Sequence, residues 1–347
     1  MKSCDSGYDA ENEGAILVGA RDIRIMRLSD PVLSPGQVRV KIAASAICGT
    51  QIGEWRMTRG PDPYLPHCFG HEAVGRVLEV GSAVTTIQVN DRVVISWMKR
   101  GGDGDGAPKF TSDGNTLNFG ECCTFVRRAV VPENRVTKID EVVDDEVAAI
   151  LGCAFLTAHA ALRQTTQGFT IRDAHVAVIG AGGVGLAAGL IASAKKIPYT
   201  CIDVPQVIHQ LSKQNPELSL MSTGDARASL SGRVPVAIVC TGAVSGFELA
   251  ESLLPKNGGI LCFVGNPALG VKIGLDIKPL LYNRRVLGIG EKDVRLPDDL
   301  VTLIDLVKCG QLNAGQAVQN RRHLFDIQLG FEEVDAGTGG RTIIKID

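Results

Sequence analysis

His175-Val176-Ala177-Val178-Ile179-Gly180-Ala181-Gly182-Gly183-Val184-Gly185-Leu186 is the stretch whose reading decides the fold. Its first five residues are a short, β-branched apolar run suited to a buried strand, and Val184–Ala194 continues as an apolar helix. Between them, Gly180 permits a tight turn, Gly182 lets backbone approach a pyrophosphate, and Gly185 lets the helix pack close to the sheet. Gly183 and Val184 open the helix, where unpaired N–H groups and the helix dipole favour phosphate. The next strand-like run, Tyr199–Ile202, ends at Asp203, about 20 residues beyond the glycines as a dinucleotide site requires. A carboxylate there can accept from both ribose hydroxyls of NAD and repels the 2′-phosphate of NADP. Val204, Pro205 and Gln206 include no Arg or Lys to hold such a phosphate. The expected cofactor is NAD.

Outward from this stretch, the strand-like runs Val236–Cys240 and Ile260–Val264 alternate with helical ones such as Gly246–Leu254. Alternation of this kind implies an α/β region with a parallel sheet wrapped by helices. Upstream the pattern differs. Val38–Ala43, Gly75–Val80 and Arg92–Ser96 are short β patterns separated by Gly, Pro and Asp, so this part is β-rich with long loops. Lys99–Asn118, with Gly101, Gly102, Asp103, Gly104, Asp105 and Gly106, reads as an exposed loop. Glu146–Leu162 and Asp298–Lys308 read as helical, and Arg341–Ile346 as a final strand. A chain of 347 residues suits two domains.

Composition excludes several classes. Hydrophobic residues at 45% and charged residues at 21% are ordinary for a globular chain able to build a large core. A formal net charge of −2 supplies no electrostatic attraction to nucleic acid or to an anionic membrane. No uninterrupted apolar run reaches the length of a membrane span. The N-terminal residues 1–14 lack the charged and apolar regions of a signal peptide and read as a frayed tail. Without secretion signals, ten Cys are reduced thiols or metal ligands rather than disulfides, and the expected location is the cytoplasm.

Three clusters carry metal-binding chemistry: Cys48 in Ile47-Cys48-Gly49-Thr50, the pair His71-Glu72, and Cys153 in Leu151-Gly152-Cys153. Two thiolates and an imidazole, with one position for a carboxylate or water, are what a catalytic zinc needs. Each residue alone has a plain structural explanation, because free Cys is commonly buried. Their combination is what points to a metal.

Gly70-His71-Glu72-Ala73-Val74-Gly75, followed by Gly81 and Val84, resembles the signature of zinc-containing alcohol dehydrogenases of the medium-chain dehydrogenase/reductase family. Ile47–Thr50 resembles the family's first-ligand motif, Gly152-Cys153 with Thr157-Ala158 its third-ligand segment, and Gly180–Gly185 its cofactor loop. The order matches too, and the resemblance covers essentially the whole chain. It implies a GroES-like β-rich catalytic domain in residues 1–155, a doubly wound Rossmann domain in 156–296, and a return to the catalytic domain in 297–347. It further implies that Cys48, His71 and Cys153 hold a catalytic zinc, with Glu72 an intermittent or fourth ligand. Thr50 would bond the substrate oxygen. Thr157 would lie against the nicotinamide, Thr241 and Val264 would line that side of the cleft, and Arg341 would pair with the pyrophosphate. The activity implied is hydride transfer between NAD(H) and an alcohol or carbonyl, in a homodimer or homotetramer.

The chain also departs from the family. Trp97–Asn118, where relatives carry four structural-zinc cysteines, has none, so one zinc per chain is expected. Gln51 replaces an Asp, and Gly53 stands where some relatives place a proton-relay His; Glu54 is a neighbour that could serve the relay. The candidate pocket wall, Trp55, Arg56, Arg59, His67, Trp97, Lys99 and Arg100, is rich in cations. That suggests a polar substrate: a polyol, a sugar derivative, or a phosphate- or phosphonate-bearing alcohol, used in a biosynthetic step. Three rivals stand beside this reading. They are a zinc-free quinone or enoyl reductase, a non-catalytic dinucleotide-binding protein, and a dehydrogenase of formaldehyde or thiol adducts.

Overall fold

The computed structural model describes residues 11–58, 60–102, 104–170, 175–337 and 339–346. Residues 1–10 of the N-terminal tail, Arg59 and Asp103 lie outside the described residues.

The apolar runs around the glycine stretch become a six-stranded, all-parallel sheet. Val176–Ile179 and Val236–Val239 lie side by side at its centre. Tyr199–Asp203 and Leu220–Ser222 extend it one way, Ile260–Phe263 and Arg285–Gly288 the other. Counted along the chain the strand order is 3-2-1-4-5-6, so the winding reverses between the first and fourth strands. Ligands of such sheets bind at the carboxyl ends of the strands near that reversal. The four central strands are buried on both faces, which is why they read as continuous apolar runs rather than alternating ones.

The β-rich part forms a seven-stranded sheet around Gln37–Ile47, which pairs antiparallel with Glu72–Val80 and with Arg128–Pro132. The C-terminal strand Arg341–Lys345 closes onto the same strand, with Thr342 opposite Ile47. The fold is therefore mixed α/β, a GroES-like β-rich sheet joined to a Rossmann-like parallel one.

One long helical segment, Asp145–Thr166, lies between the two sheets in sequence and in space. A single core cluster joins Ala46, Val74 and Val94 of the first sheet, Ala149, Phe155 and Ala161 of this helix, and Val178 and Leu186 of the second. Among the described residues this is the one helix with the length and apolar character of a membrane span, a feature that no uninterrupted apolar run announces. Its most apolar window is 78% buried inside the protein, so its apolar surface is spent on the core.

The same helix buries His159, whose Nε2 stands 3.7 Å from Asp299 Oδ1 on the Asp298–Lys308 helix. Burial first, then the nearby Lys195, pushes His159 down to about 4. An unfolded histidine titrates near 6.5, so between those values the unfolded chain binds a proton that the folded one refuses. Stability should accordingly fall as pH drops from about 6.5 toward about 4. His159→Asn should flatten that slope by one proton's worth, read from chemical denaturation at pH 7 and pH 5. An unchanged slope would refute the assignment.

Candidate active site

Local sequence explains how each donor reaches one point. Cys48 ends a buried strand and starts the short helix Gly49–Trp55. Its backbone N–H donates to Gln51 Oε1 at 2.8 Å, which fixes the turn. Gly70 has φ of +102°, and a Cβ there would meet Thr124 Oγ1 at 2.5 Å; only glycine makes the turn that delivers His71. Cys153 lies in a π-helical turn, Leu151–Phe155, inside the long helix, a local widening often found at functional sites. Gly152 lets this turn press against the neighbouring strand, because a Cβ there would sit 2.5 Å from the carbonyl of Ile95.

The ligand atoms of Cys48, His71 and Cys153 lie within 4.8 Å of one another. Bonds of about 2.1–2.3 Å in a tetrahedron set its donor atoms roughly 3.5–3.8 Å apart, so the cluster needs only a slight contraction to hold zinc. The electrostatics agree with the donor set. The Cys153 thiol donates toward Cys48 and, with Arg341 and His71 adding to it, holds the Cys48 thiol well below its ordinary range. The same bond, together with burial, pushes Cys153 well above it. Burial pulls His71 down, but the Cys48 thiolate more than offsets this and the imidazole ends up raised. His71 Nε2 is buried with no hydrogen-bond partner. Two soft donors and an orphaned imidazole nitrogen fit zinc.

Glu72 is fully buried, pushed up to about 7 by burial against the pull of Arg341, and pairs with Arg341 Nη2 at 3.2 Å. It stands outside the group of three donors that come within 4.8 Å. Arg341 donates to the Ile47 carbonyl at 2.9 Å and lies so close to Gly183 that a Cβ there would meet its Nε at 2.5 Å. Thr50 Oγ1 is 3.8 Å from Cys48 Sγ. Thr157, half-buried, occupies the first turn after the π-helical segment.

A cavity of about 500 Å³ opens at His71 and is lined by Gln51, Glu54, Asp62, His67, Phe119 and Cys122 among others. The cations expected on its wall are engaged elsewhere. Arg56 pairs with Asp335, Lys99 with Glu121 at 3.1 Å, and Arg100 donates to the Glu133 carbonyl at 2.8 Å. Trp55 is buried in the core against Phe331, and Trp97 packs on the larger core cluster. Among the described residues of that set only His67 lines the cavity, beside two carboxylates.

A second cavity, about 360 Å³, runs along the carboxyl ends of the parallel strands and is lined by Gly180, Asp203 and Thr241. Gly185 lies against Gly180, whose carbonyl oxygen a Cβ would meet at 1.7 Å, so helix and strand do approach closely. Asp203 accepts from the Ala181 N–H at 2.6 Å and from its neighbour Val204 at 2.7 Å. Thr241 lines this cavity together with Asp203, whereas Val264 packs half-buried against the core beyond it. Arg227, from the helix Thr223–Ser229, also lines the cavity. Reading only the residues next to Asp203 misses it, because 23 intervening residues of strand and helix bring it there.

Comparison with known proteins places this geometry. Residues 34–141 match the alcohol dehydrogenase GroES-like domain. An S-(hydroxymethyl)glutathione dehydrogenase of Synechocystis sp. is 25% identical over 93% of this chain and 96% of its own. An alcohol dehydrogenase of Geobacillus stearothermophilus is 27% identical over 93% and 96%. The benzyl alcohol dehydrogenase of Acinetobacter calcoaceticus shares the fold with a TM-score of 0.83 at 24% identity, over 97% of this chain and all of its own. Residues 34–141 thus carry the alcohol dehydrogenase GroES-like domain, and over its length the chain is similar to dehydrogenases of that kind. These similarities support an oxidoreductase.

Gly152→Ala changes no donor atom, yet its methyl group collides with backbone. It should destabilise the fold by about 1–3 kcal/mol, as overpacking does, and lower zinc content by displacing Cys153. Elemental analysis and thermal unfolding on the same sample check both, and full zinc with an unchanged midpoint would refute the role given to Gly152.

Proposed function

We propose that this chain is a zinc-dependent, NAD-linked dehydrogenase acting on a small polar alcohol or its carbonyl. The carrying observation is the convergence of Cys48, His71 and Cys153 beside a cavity of about 500 Å³. In this reading residues 1–155 and 297–347 form the metal-holding domain and residues 156–296 hold the dinucleotide.

Zinc held by Cys48, His71 and Cys153 would supply Lewis acidity to a substrate oxygen, and no structural zinc accompanies it. NAD(H) would exchange the hydride. The chain's own residues do the rest. Thr50 Oγ1, close to Cys48 Sγ, is placed to hold the substrate's hydroxyl proton and pass it on. Gln51 fixes the Cys48 turn through its oxygen, while its buried Nε2 has no partner and its side chain lines the cavity. Arg341 sets a cation beside Gly183 at the helix N-terminus, where the pyrophosphate would lie. Glu72 balances that cation from the metal side. Thr157 would stand near the nicotinamide, with Thr241 and Val264 along the same cofactor path.

Asp203 supports NAD, since its carboxylate faces the second cavity where the ribose would bind. Arg227 on the same wall is a feature that would favour a 2′-phosphate. For the substrate, the carboxylates in the first cavity and the engaged Arg56, Lys99 and Arg100 favour a polyol or other uncharged polar alcohol over a phosphate ester. The relatives' names, spanning S-(hydroxymethyl)glutathione, L-threonine and alcohol dehydrogenases, support a hydroxyl-bearing substrate without selecting one.

After dialysis against a weak chelator, wild type should retain about one zinc per chain and Cys153→Ala essentially none, by elemental analysis. A wild type that binds no zinc would sink the mechanism. Asp203→Ala should shift the NAD-over-NADP preference by about tenfold or more, or ~1.4 kcal/mol, measured as the ratio of kcat/KM values. An unshifted ratio would assign cofactor choice to Arg227.

A further inference from the structure

Three cations that the dehydrogenase reading leaves without a task line a further cavity, of about 450 Å³. Arg163 stands in the last turn of the Asp145–Thr166 helix, Lys195 directly follows the Gly183–Ala194 helix, and Arg295 lies just before the Asp298–Lys308 helix. Leu162 and Ile197 add apolar lining, and among the described residues no carboxylate lines the cavity. Its volume falls within the roughly 300–1,000 Å³ of small-molecule sites. At about 1.5 Å per residue, the 12-residue helix puts Lys195 roughly 18 Å from the glycine turn, so this cavity is separate from the dinucleotide one.

The charges around it do not balance. Asp299 is shared among several donors: its Oδ2 is 3.2 Å from Arg163 Nη2, and its Oδ1 is 3.8 Å from Arg295 Nε and 3.7 Å from His159 Nε2. Oδ2 also accepts from the Arg295 N–H at 2.9 Å. Arg163 makes its bonds to Asp299 and to the Asp293 carbonyl through Nη2 alone, and its Nε is buried with no acceptor. Arg295 Nε stands beyond hydrogen-bond reach of Asp299. The half-buried Lys195 ammonium forms no ion pair among the described residues. Burial holds it below its ordinary range, with Asp299 opposing that effect and Arg163 adding to it. The dipole at a helix C-terminus accounts for a cation at Lys195, but not for Arg295 beside the start of another helix. Partly buried cations are costly unless paired, and here one carboxylate serves three of them. An anion in the cavity would supply the missing acceptors.

We propose that Arg163, Lys195 and Arg295 form a binding site for a phosphoryl-bearing anion, apart from both cavities described above. A phosphoryl group carries close to two negative charges at neutral pH and three acceptor oxygens. Its geometry matches the planar fork of arginine, while lysine serves it as a point charge. Leu162 and Ile197 beside the cations suit the organic body of a phosphate monoester, whereas inorganic phosphate would use the charges alone. Occupation would tie together the ends of three helices, one of which carries Cys153. The site does not rest on the proposed dehydrogenase activity.

The test titrates the full chain with inorganic phosphate and with phenyl phosphate, by isothermal titration calorimetry in a phosphate-free buffer. Wild type should bind, and Lys195→Met and Arg295→Gln should each weaken binding by at least about tenfold, the scale of one hydrogen bond to a charged group. Arg227→Ala, on the wall of the dinucleotide cavity, should leave it unchanged. Circular dichroism checks folding, and Arg295, with a side chain 61% exposed, keeps the test decisive should Lys195→Met fail to fold. Tighter binding of the ester would make a phosphorylated small molecule the occupant, and equal or tighter binding of phosphate would make it the free ion; either supports the site. No binding of either probe by folded wild type would overturn the proposal. Binding that survives both substitutions, or that is lost in Arg227→Ala, would overturn it as well and place the anion in the dinucleotide cavity.

Discussion

Arg341 is only 2% exposed, yet it donates to the Ile47 carbonyl, pairs with Glu72 and lies against Gly183. One cation therefore holds the turn at Cys48, the strand beside His71, and the start of the helix that follows the glycine turn. Its bond to Ile47 spans 294 residues. A buried charge of this kind is tolerable only while paired, and removing one partner of such a pair typically costs about 3–5 kcal/mol. An additional bridge between Gly182 and Gly340 fixes the glycine turn to the same C-terminal strand. The spacing between the two halves of the site is thus set by a covalently remote segment.

Around that tie the backbone does the positioning. The parallel sheet reverses its winding beside Val176–Ile179, and the second cavity lies at that reversal, with Asp203 and Thr241 at strand ends. On the other side the donors come from three dissimilar devices: a helix start at Cys48, a left-handed glycine before His71, and a π-helical turn at Cys153. The long helix that carries Cys153 is also the element whose core cluster joins the two sheets. The convergence of Cys48, His71 and Cys153 and the packing of the two sheets are consequently one constraint, since displacing that helix would move Cys153.

Two unlike clusters lie at the first cavity, one touching it through His71 and the other on its wall. Cys48, His71 and Cys153 are soft and mutually polarised, whereas Glu54, Asp62 and His67 are hard and anionic. Charge expected on the wall is instead spent on structure, with Arg56 on Asp335, Lys99 on Glu121, and Arg100 on the Glu133 carbonyl. The cavity that remains is lined by carboxylates and amide groups together with the rings of Phe69 and Phe119.

The fold class was legible in the sequence because apolar periodicity and glycine spacing are local properties. A buried parallel strand must be apolar throughout, and a helix that docks on it needs Gly185 wherever it stands in the fold. The candidate donors could be picked out for a similar reason, since zinc chemistry admits few donor types, and the structure brings Cys48, His71 and Cys153 together. The tertiary structure decided what depends on distance rather than residue type. It gave Glu72 to Arg341, took the wall cations away from the cavity, and placed Arg227 beside Asp203 across 23 residues. It also brought Asp62 and Glu54 to His67 Nε2, at 3.0 and 3.9 Å. Charged side chains are long and mobile, and any opposite charge satisfies them. Sequence can therefore count them, but only packing can say which partner each one takes.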